Sequence, residues 1–246
     1  MRNIWMVAAG LVVFGSGLHA AEIDRDAVQA MISKTFPGVV ADDVGLAVVP
    51  GFYEVVVGTR LVYMSTDGKY VLLGDLIDAD KRVNLSEARR AELTSTKLAA
   101  VPPERMIVIG PENPSRFVNV FTDVDCPYCA RFHRDVPKLN EAGVAVHYFL
   151  FPRTGVGSKS YERAVGVWCA DDPVEMIGIA KAGGEVAPIE CDNPVKDHLA
   201  LGRAVGVQGT PAIFLEDGTM IPGYVPPERL FEQMGHPPRQ GLPVAK

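Results

Sequence analysis

The sequence predicts a chain of class α+β/α/β in which a small N-terminal domain is joined by a helix to a larger C-terminal domain. Three observations predict this arrangement: an early set of short apolar runs separated by turns, a polar helical segment that ends at Val101-Pro102-Pro103, and a strand–helix–strand pattern beyond the prolines. We place a signal peptide at residues 1–20, the N-terminal domain at 21–83, the linker helix at 84–100 and the C-terminal domain at 101–246.

The first twenty residues have the pattern of a secretory signal peptide. Arg2 precedes an apolar core over residues 4–14, and small residues follow as far as Ala20 and Ala21. The core is shorter than the roughly 20 residues that span a bilayer. We therefore predict cleavage near Ala20 or Ala21 and an exported protein, in a compartment where disulfides persist.

The N-terminal domain is predicted to be a short helix followed by strands. Apolar runs at residues 52–57, 60–65 and 69–73 are separated by turns at Gly58-Thr59 and Thr66-Asp67-Gly68, which is typical of an antiparallel meander. A segment of this size buries little core by itself. We therefore expect it to gain stability by packing, which favours a role in dimerisation.

The linker is predicted to be a capped and mostly polar helix. Asn84 is a favoured cap residue, and Glu87 follows it at the third position, as in helix starts. Good helix formers continue to Leu98, and the two prolines that follow cannot extend the helix. This composition indicates a connector.

The C-terminal domain is predicted from alternating strands and helices. Residues 116–121 form an apolar strand, Pro127 suits the first position of a helix that runs to about residue 140, and residues 144–151 form a second strand. This order implies parallel pairing of the two strands. Two further helices, one of them starting at Asp172, and a hairpin over residues 212–222 complete the domain.

The spacing of Cys126 and Cys129 has few chemical uses. Cys126 is predicted at the start of the helix, where unpaired N–H groups favour a thiolate, and Cys129 lies one turn deeper. This asymmetry predicts that Cys126 attacks a substrate disulfide and that Cys129 resolves the mixed disulfide. Asp123 and Asp125 flank Cys126. They either modulate its pKa or relay protons, or they cap the helix.

Two alternatives for the pair remain weaker. Half of a zinc site needs a second close pair of ligands, and Cys169 and Cys191 stand far apart in the sequence. A structural disulfide between Cys126 and Cys129 would close so small a loop that it stabilises little. No metal ligand and no cofactor are predicted.

Five segments carry a family resemblance when they are taken together. They are Phe121-Thr122-Asp123-Val124-Asp125-Cys126-Pro127-Tyr128-Cys129, Phe149-Leu150-Phe151-Pro152-Arg153, Trp168-Cys169-Ala170, Gly209-Thr210-Pro211-Ala212 and Val225-Pro226-Pro227. They resemble the DsbC/DsbG family of periplasmic thiol:disulfide interchange proteins. The resemblance implies a thioredoxin-like catalytic domain with a helical insertion, and a cystatin-like N-terminal dimerisation domain that forms a V-shaped homodimer.

The resemblance also implies roles for individual residues. Thr210 and Pro211 correspond to a cis-proline loop that lies beside the redox cysteines and binds substrate together with Pro127 and Tyr128. Cys169 and Cys191 correspond to a second, structural disulfide.

The resemblance implies partners as well. The expected substrates are misfolded exported proteins that contain disulfides. Isomerisation requires a reduced pair, so the implied electron donor is a membrane thiol reductase of the DsbD type. With 30 acidic against 24 basic residues and a formal charge of -6, we expect no nucleic-acid partner and no membrane insertion of the mature chain.

One dipeptide leaves a rival function open. Pro127-Tyr128 separates the cysteines here, whereas DsbC proteins commonly have Gly-Tyr at this place and DsbG proteins have Pro-Tyr. DsbG proteins generally lack the second cysteine pair, so Cys169 and Cys191 favour a disulfide isomerase. The alternative is a DsbG-like reductase of single oxidised cysteines with chaperone activity.

Overall fold

The computed structural model describes residues 23–235, so the predicted signal peptide lies outside the described residues. The helices are α1 (Arg25–Thr35), α2 (Leu85–Ala99), α3 (Pro127–Glu141), α4 (Lys159–Trp168), α5 (Pro173–Lys181), α6 (Val195–Ala204) and α7 (Pro227–Gly235). The strands are β1 (Asp43–Leu46), β2 (Phe52–Val57), β3 (Arg60–Ser65), β4 (Val71–Leu72), β5 (Ile77–Asp78), β6 (Val83–Asn84), β7 (Ile107–Ile109), β8 (Arg116–Thr122), β9 (Val144–Leu150), β10 (Ala212–Phe214) and β11 (Met220–Pro222). None of the helices within 23–235 is long and apolar enough to cross a membrane.

The N-terminal domain is a four-stranded antiparallel sheet with one helix packed on it. The strand order is β1-β2-β3-β4, which confirms the predicted meander and adds β1 to it. Val28 and Ile32 of α1 pack against Val55 and Met64 of the sheet. Val56, Leu61 and Tyr63 form a second buried cluster, so consecutive residues of β2 and β3 are buried instead of alternating with exposed ones.

The predicted third strand is shorter than expected. The sequence predicts this strand over residues 69–73, but only Val71–Leu72 pair with β3. The Asp67 carboxylate accepts hydrogen bonds from Ser65 Oγ and from the Lys69 backbone N–H. Lys69 therefore belongs to the turn and not to the strand. An aspartate that binds the backbone two residues ahead extends a turn in this way.

Helix α2 connects the two domains, as predicted. Its cap is Asn84, whose side chain accepts a hydrogen bond from the Glu87 backbone N–H. Leu93 packs against the N-terminal sheet, whereas Leu98 belongs to the core of the C-terminal domain. The turn at Gly218 (φ +84°) lies so close to this helix that a Cβ there would collide with the Ala91 carbonyl oxygen.

The C-terminal domain is a five-stranded sheet whose order is β11-β10-β8-β9-β7. The central strands β8 and β9 run parallel, which confirms the predicted strand–helix–strand unit, and the other pairs are antiparallel. Phe132 and Leu139 of α3 pack with Val118 and Tyr148 of the sheet in one core cluster. The sheet thus fixes the end of β8, which leads into α3.

Three helices are inserted between β9 and β10. The sequence predicts α4 and α5, and the Asp172 side chain caps α5 by accepting hydrogen bonds from two backbone N–H groups. Helix α6 and the terminal helix α7 were not anticipated. The architecture is the predicted one: an α/β domain with a helical insertion, linked by a helix to a smaller α+β domain.

Candidate active site

Cys126 and Cys129 lie at the junction of β8 and α3. Cys126 is the N-cap of α3, Pro127 occupies the first position of the helix, and Cys129 is buried one turn further along. Both thiols are free, and the Cys126 residue is only 2% exposed. Between them Tyr128 is 62% exposed, so the intervening dipeptide faces solvent.

The helix start favours the thiolate of Cys126. Burial raises the pKa of this thiol, but hydrogen bonding with Thr210 and with the backbone N–H groups of Cys129 and Tyr128 outweighs burial and lowers it. These N–H groups have no partner within the helix, so they are available to an anion. Cys126 is therefore the more acidic thiol of the pair.

Cys129 has the opposite character. Burial raises the pKa of its thiol above the usual range, and the positive charge of Lys181 and hydrogen bonding with Thr122 only partly offset that effect. A buried thiol of raised pKa is a poor nucleophile until it loses its proton. The thiol with the lower pKa, Cys126, is thus suited to the first attack, and the thiol with the higher pKa, Cys129, to the later resolution.

The Thr210–Pro211 segment lies directly beside the thiols. The peptide bond between the two residues is cis, and the Cys126 thiol donates a hydrogen bond to the Thr210 carbonyl oxygen at 3.3 Å. Pro211 precedes β10, which pairs with β8, so the sheet holds the two segments together. The structure thus brings together the predicted site residues Cys126, Cys129, Thr210, Pro211, Pro127 and Tyr128.

Cys169 and Cys191 form a disulfide bond within the helical insertion. Cys169 ends α4, and Cys191 lies in the loop before α6. The bond therefore ties an irregular segment to a helix and leaves Cys126 and Cys129 as free thiols. Elsewhere in 23–235, no three His, Cys, Asp or Glu side chains cluster closely enough to hold a metal ion.

Replacing Cys169 and Cys191 together by alanine should lower the free energy of unfolding by about 3 kcal/mol. The estimate follows from the entropy of closing a loop of 22 residues in the unfolded chain. Urea unfolding of the oxidised wild type and of the double variant measures the difference. A double variant that unfolds at the wild-type urea concentration would show that the bond constrains nothing.

Asp123 is a buried carboxylate near the cysteines that accepts several hydrogen bonds. Its carboxylate, 2% exposed, accepts hydrogen bonds from the Asp125 and Arg153 backbone N–H groups and from Ser160 Oγ, and it pairs with the Arg153 guanidinium at 3.1 Å. Burial opposes ionisation, but these donors outweigh it and lower the pKa of Asp123. The flanking aspartate is thus a fixed anion that shapes the loop before α3.

Lys181 is a charged residue of the site that the sequence did not suggest. Its Nζ donates to Thr122 Oγ1 at 2.7 Å and to the Asp123 carbonyl oxygen at 3.3 Å. A lysine in the last turn of a helix is ordinarily a solvated residue that complements the helix dipole. No pattern in the sequence therefore distinguishes Lys181 from an exposed lysine.

Two family models match the chain, one in each domain. A model described as a thioredoxin-like domain matches residues 103–236, and one described as the N-terminal domain of disulfide bond isomerase proteins matches residues 19–87. One match ends at the start of helix α2 and the other begins after the helix ends. Together they cover most of the chain.

Curated relatives and a solved structure are similar to the chain. The thiol:disulfide interchange protein DsbC of Escherichia coli K12 is 33% identical over 94% of this chain and 95% of its own length. DsbC of Haemophilus influenzae is 32% identical over 76% of this chain and 80% of its own. A crystal structure of a disulfide interchange protein from Neisseria gonorrhoeae has 29% identity and a TM-score of 0.49, and the match covers 55% of this chain and 96% of that one.

Proposed function

Because this chain belongs to the DsbC family of thiol:disulfide interchange proteins, we propose that it is a protein disulfide isomerase whose reacting groups are Cys126 and Cys129. The observation that carries the assignment is the asymmetry of the two free thiols. Burial opposes ionisation of Cys126, but hydrogen bonding with Thr210 and with backbone N–H groups at the start of α3 lowers its pKa, whereas burial raises the pKa of Cys129. The first is suited to attack and the second to resolution.

The reaction begins with the Cys126 thiolate. Its sulfur forms a bond to one sulfur of an incorrect disulfide in the substrate, and the other substrate sulfur leaves as a thiolate. That thiolate then attacks another disulfide of the substrate, and a final attack on the mixed disulfide returns Cys126 as a thiolate. No electrons are gained or lost in this cycle. Cys129 attacks the mixed disulfide only if the substrate remains bound, and the substrate is then released reduced.

The substrate backbone is proposed to lie along the segment Thr210–Pro211. This segment contacts Cys126, and Pro127 and Tyr128, which follow Cys126, are exposed. A cavity of about 290 Å³ is lined by Gln208, Gly209 and Thr210, next to the segment. Polar backbone groups and small side chains accept many sequences, which suits an enzyme that acts on varied proteins.

The compartment follows from the cysteine chemistry. We place the mature protein in the periplasm, because residues 1–20 have the pattern of an export signal and the disulfide between Cys169 and Cys191 persists in oxidising compartments. An oxidising compartment would oxidise Cys126 and Cys129. We therefore propose a membrane thiol reductase of the DsbD type as the electron donor, and misfolded disulfide-containing exported proteins as substrates.

The proposed oligomer is a homodimer formed through the N-terminal domain. We propose that this domain comprises residues 21–83, the linker residues 84–100 and the catalytic domain residues 101–246. A match to a family model of isomerase N-terminal domains supports it. Strand β4 is at the edge of its sheet, and Leu73, which follows it, is 68% exposed. An exposed edge with apolar side chains favours pairing with another chain.

The mature protein should sediment with twice the mass of one chain. Leu73→Glu is expected to weaken the dimer at least about tenfold, because it places a charge in an apolar contact. The control is Val156→Glu, which adds the same charge at an exposed valine of the C-terminal domain. Sedimentation across a range of concentrations checks both variants, and a single-chain mass for the wild type at every concentration would refute the dimer.

Refolding of a scrambled multi-disulfide protein in mild reductant tests the function. The mature chain should restore the activity of the scrambled protein faster than the reductant alone. Pro127 favours one rival, a DsbG-like reductase of single oxidised cysteines. Rapid reduction of a sulfenylated peptide without recovery of the scrambled protein would replace the isomerase by that rival.

A further inference from the structure

The N-terminal domain touches the catalytic domain at the end of α6. Thr59, in the turn between β2 and β3, donates its hydroxyl proton to the Ala204 carbonyl oxygen at 2.8 Å. Threonine is mostly a surface residue, but Thr59 is only 7% exposed. Its hydroxyl is thus a direct link between two domains that are otherwise joined by α2.

The turn that carries Thr59 is fixed within its own domain. Strands β2 and β3 pair as far as Val57 and Arg60, so the turn has only two residues. Gly58 takes the left-handed backbone conformation (φ +69°), and its N–H donates to the Asp42 carboxylate. The hydroxyl of Thr59 is therefore held in a defined place.

The end of α6 leaves one carbonyl group for this donor. The last carbonyls of a helix have no partner within the helix. Gly206 (φ +84°) ends α6 in the left-handed conformation, and the N–H groups of Gly206 and Val207 donate to the carbonyls of the two residues before Ala204. The Ala204 carbonyl takes its hydrogen bond from Thr59 instead.

The chain that leaves α6 is the loop that reaches the reactive thiol. Val205 and Val207 are buried in the core of the catalytic domain, whereas Gln208 and Gly209 are exposed. Thr210 follows, and its carbonyl oxygen accepts the hydrogen bond from the thiol. Residues 205–211, which we call the substrate loop, therefore run from the contact of Thr59 to the proposed binding site of the substrate backbone.

The substrate loop has little packing along its outer side. The cavity of about 290 Å³ lies between Gly206, Gln208 and Gly209 of the loop and Met220 and Pro222 of β11. A Cβ at either glycine of the loop would meet no atom within 4 Å. The position of the loop therefore depends on its two ends, which are β10 and the end of α6.

We propose that Thr59 is a positioning residue for substrate binding, and that its hydrogen bond to Ala204 holds the substrate loop in the form that receives a substrate backbone at Thr210 and Pro211. The proposal deepens the function proposed above and rests on it. Without the hydrogen bond, other loop positions become populated, and the affinity for substrate falls with the fraction of the competent form. The N-terminal domain thus takes part in substrate binding by the catalytic domain of its own chain.

The matched variant is Thr59→Val, which keeps the shape of the side chain and puts a methyl group in place of the hydroxyl. Thr59→Ser keeps the hydroxyl and should restore the wild-type behaviour. Thr66→Val is the control, because it makes the same change at an exposed threonine in the turn after β3. Urea unfolding establishes that each variant is folded under the assay conditions.

The experiment uses two probes with the same leaving group. One is 5,5'-dithiobis(2-nitrobenzoate), which has no peptide backbone, and the other is a short peptide whose single cysteine is linked by a disulfide to thionitrobenzoate. In the peptide reaction the Cys126 thiolate bonds to the peptide sulfur, and thionitrobenzoate leaves as a coloured thiolate. Release by the reduced mature protein at increasing peptide concentrations gives a half-saturating concentration and a limiting rate.

The expected change is confined to the peptide probe. The half-saturating peptide concentration should rise by about 2- to 10-fold in Thr59→Val, which is the worth of one neutral hydrogen bond, while the limiting rate stays at the wild-type value. Thr59→Ser and Thr66→Val should keep both wild-type values. Hydrogen–deuterium exchange of residues 205–211 should be faster in Thr59→Val than in the wild type.

Three results would decide against the proposal or against its premise. An unchanged half-saturating peptide concentration or unchanged exchange of residues 205–211 in Thr59→Val would overturn the proposal. Equal slowing with the probe that lacks a backbone would also overturn it, because the disturbance would then lie at Cys126. A wild type that reacts with neither probe would instead overturn the role of Cys126, so the two failures are distinguishable.

Discussion

Replacing Cys126 by serine is expected to reduce recovery of a scrambled disulfide protein to the level seen without enzyme. The serine hydroxyl does not ionise near neutral pH, so the backbone N–H groups at the start of α3 have no anion to stabilise. Cys129→Ser is expected to retain part of the recovery, because isomerisation can be completed by a substrate thiol. Reactivation rates of the three proteins in mild reductant measure both effects.

The informative result is which of the two variants, Cys126→Ser or Cys129→Ser, retains more recovery of the scrambled protein. Both lose one sulfur and both are isosteric, so differences in folding do not separate them. Recovery that survives in Cys126→Ser would assign the attack to Cys129 or to another group. Equal and complete loss in both variants would indicate that the substrate is reduced and released rather than isomerised on the enzyme.

Replacing Asp123 by alanine is expected to lower the free energy of unfolding by about 3 kcal/mol. The change leaves the Asp125 and Arg153 N–H groups and the Ser160 hydroxyl without their acceptor in a buried site. Arg153 is itself half-exposed and can be hydrated, which keeps the cost at the low end for a broken buried pair. Urea unfolding measures the difference. Asp125→Ala is the control, since its ion pair with Arg163 is partly exposed and should contribute less, on the order of 1 kcal/mol.

The stability contributed by Asp123 also depends on pH in a definite direction. The pKa of Asp123 is lower in the folded protein than in the unfolded chain, where it is near 3.9. Its contribution is therefore complete above the unfolded pKa and is lost as pH falls through the folded pKa. The wild type should lose stability more steeply than Asp123→Ala as the pH is lowered below about 5. Parallel pH profiles for the two proteins would contradict the account.

Much of the fold could be predicted because its signals are local. The start of α3 at Cys126 follows from a proline at the first helical position, and the parallel pairing of β8 with β9 follows from two apolar strands joined by one helix. The cap of α2 at Asn84 is likewise a short-range hydrogen bond. Patterns of this kind depend on neighbours within a few positions.

Helix α6 could not be predicted because its buried face is only partly apolar. Val195 and Leu199 are buried there, but the other two buried positions are His198 and Gly202. His198 accepts a hydrogen bond from the Leu150 backbone N–H and forms another with the Arg105 carbonyl oxygen, so β9 and the segment before β7 satisfy its ring. Gly202 faces Phe151 so closely that a Cβ would collide with the ring. Both requirements arise from tertiary contacts, which leave no period in the sequence.

The same reason explains why only part of the site could be predicted. The spacing of Cys126 and Cys129 is visible in the sequence, and so is the threonine–proline pair that lies beside them. Lys181 reaches Thr122 and Asp123, which precede the cysteines, only because α5 packs against α3. Its burial, not its identity, makes it unusual, and burial is a property of the folded chain.

The central claim is that the Cys126 thiolate attacks substrate disulfides directly, and a covalent trap tests it most directly. The Cys129→Ser variant cannot resolve a mixed disulfide, so incubation with a scrambled protein should accumulate a covalent complex on a non-reducing gel. Peptide mapping by mass spectrometry should find the substrate cysteine bonded to Cys126. Absence of the complex, or a bond through a cysteine other than Cys126, would contradict the account.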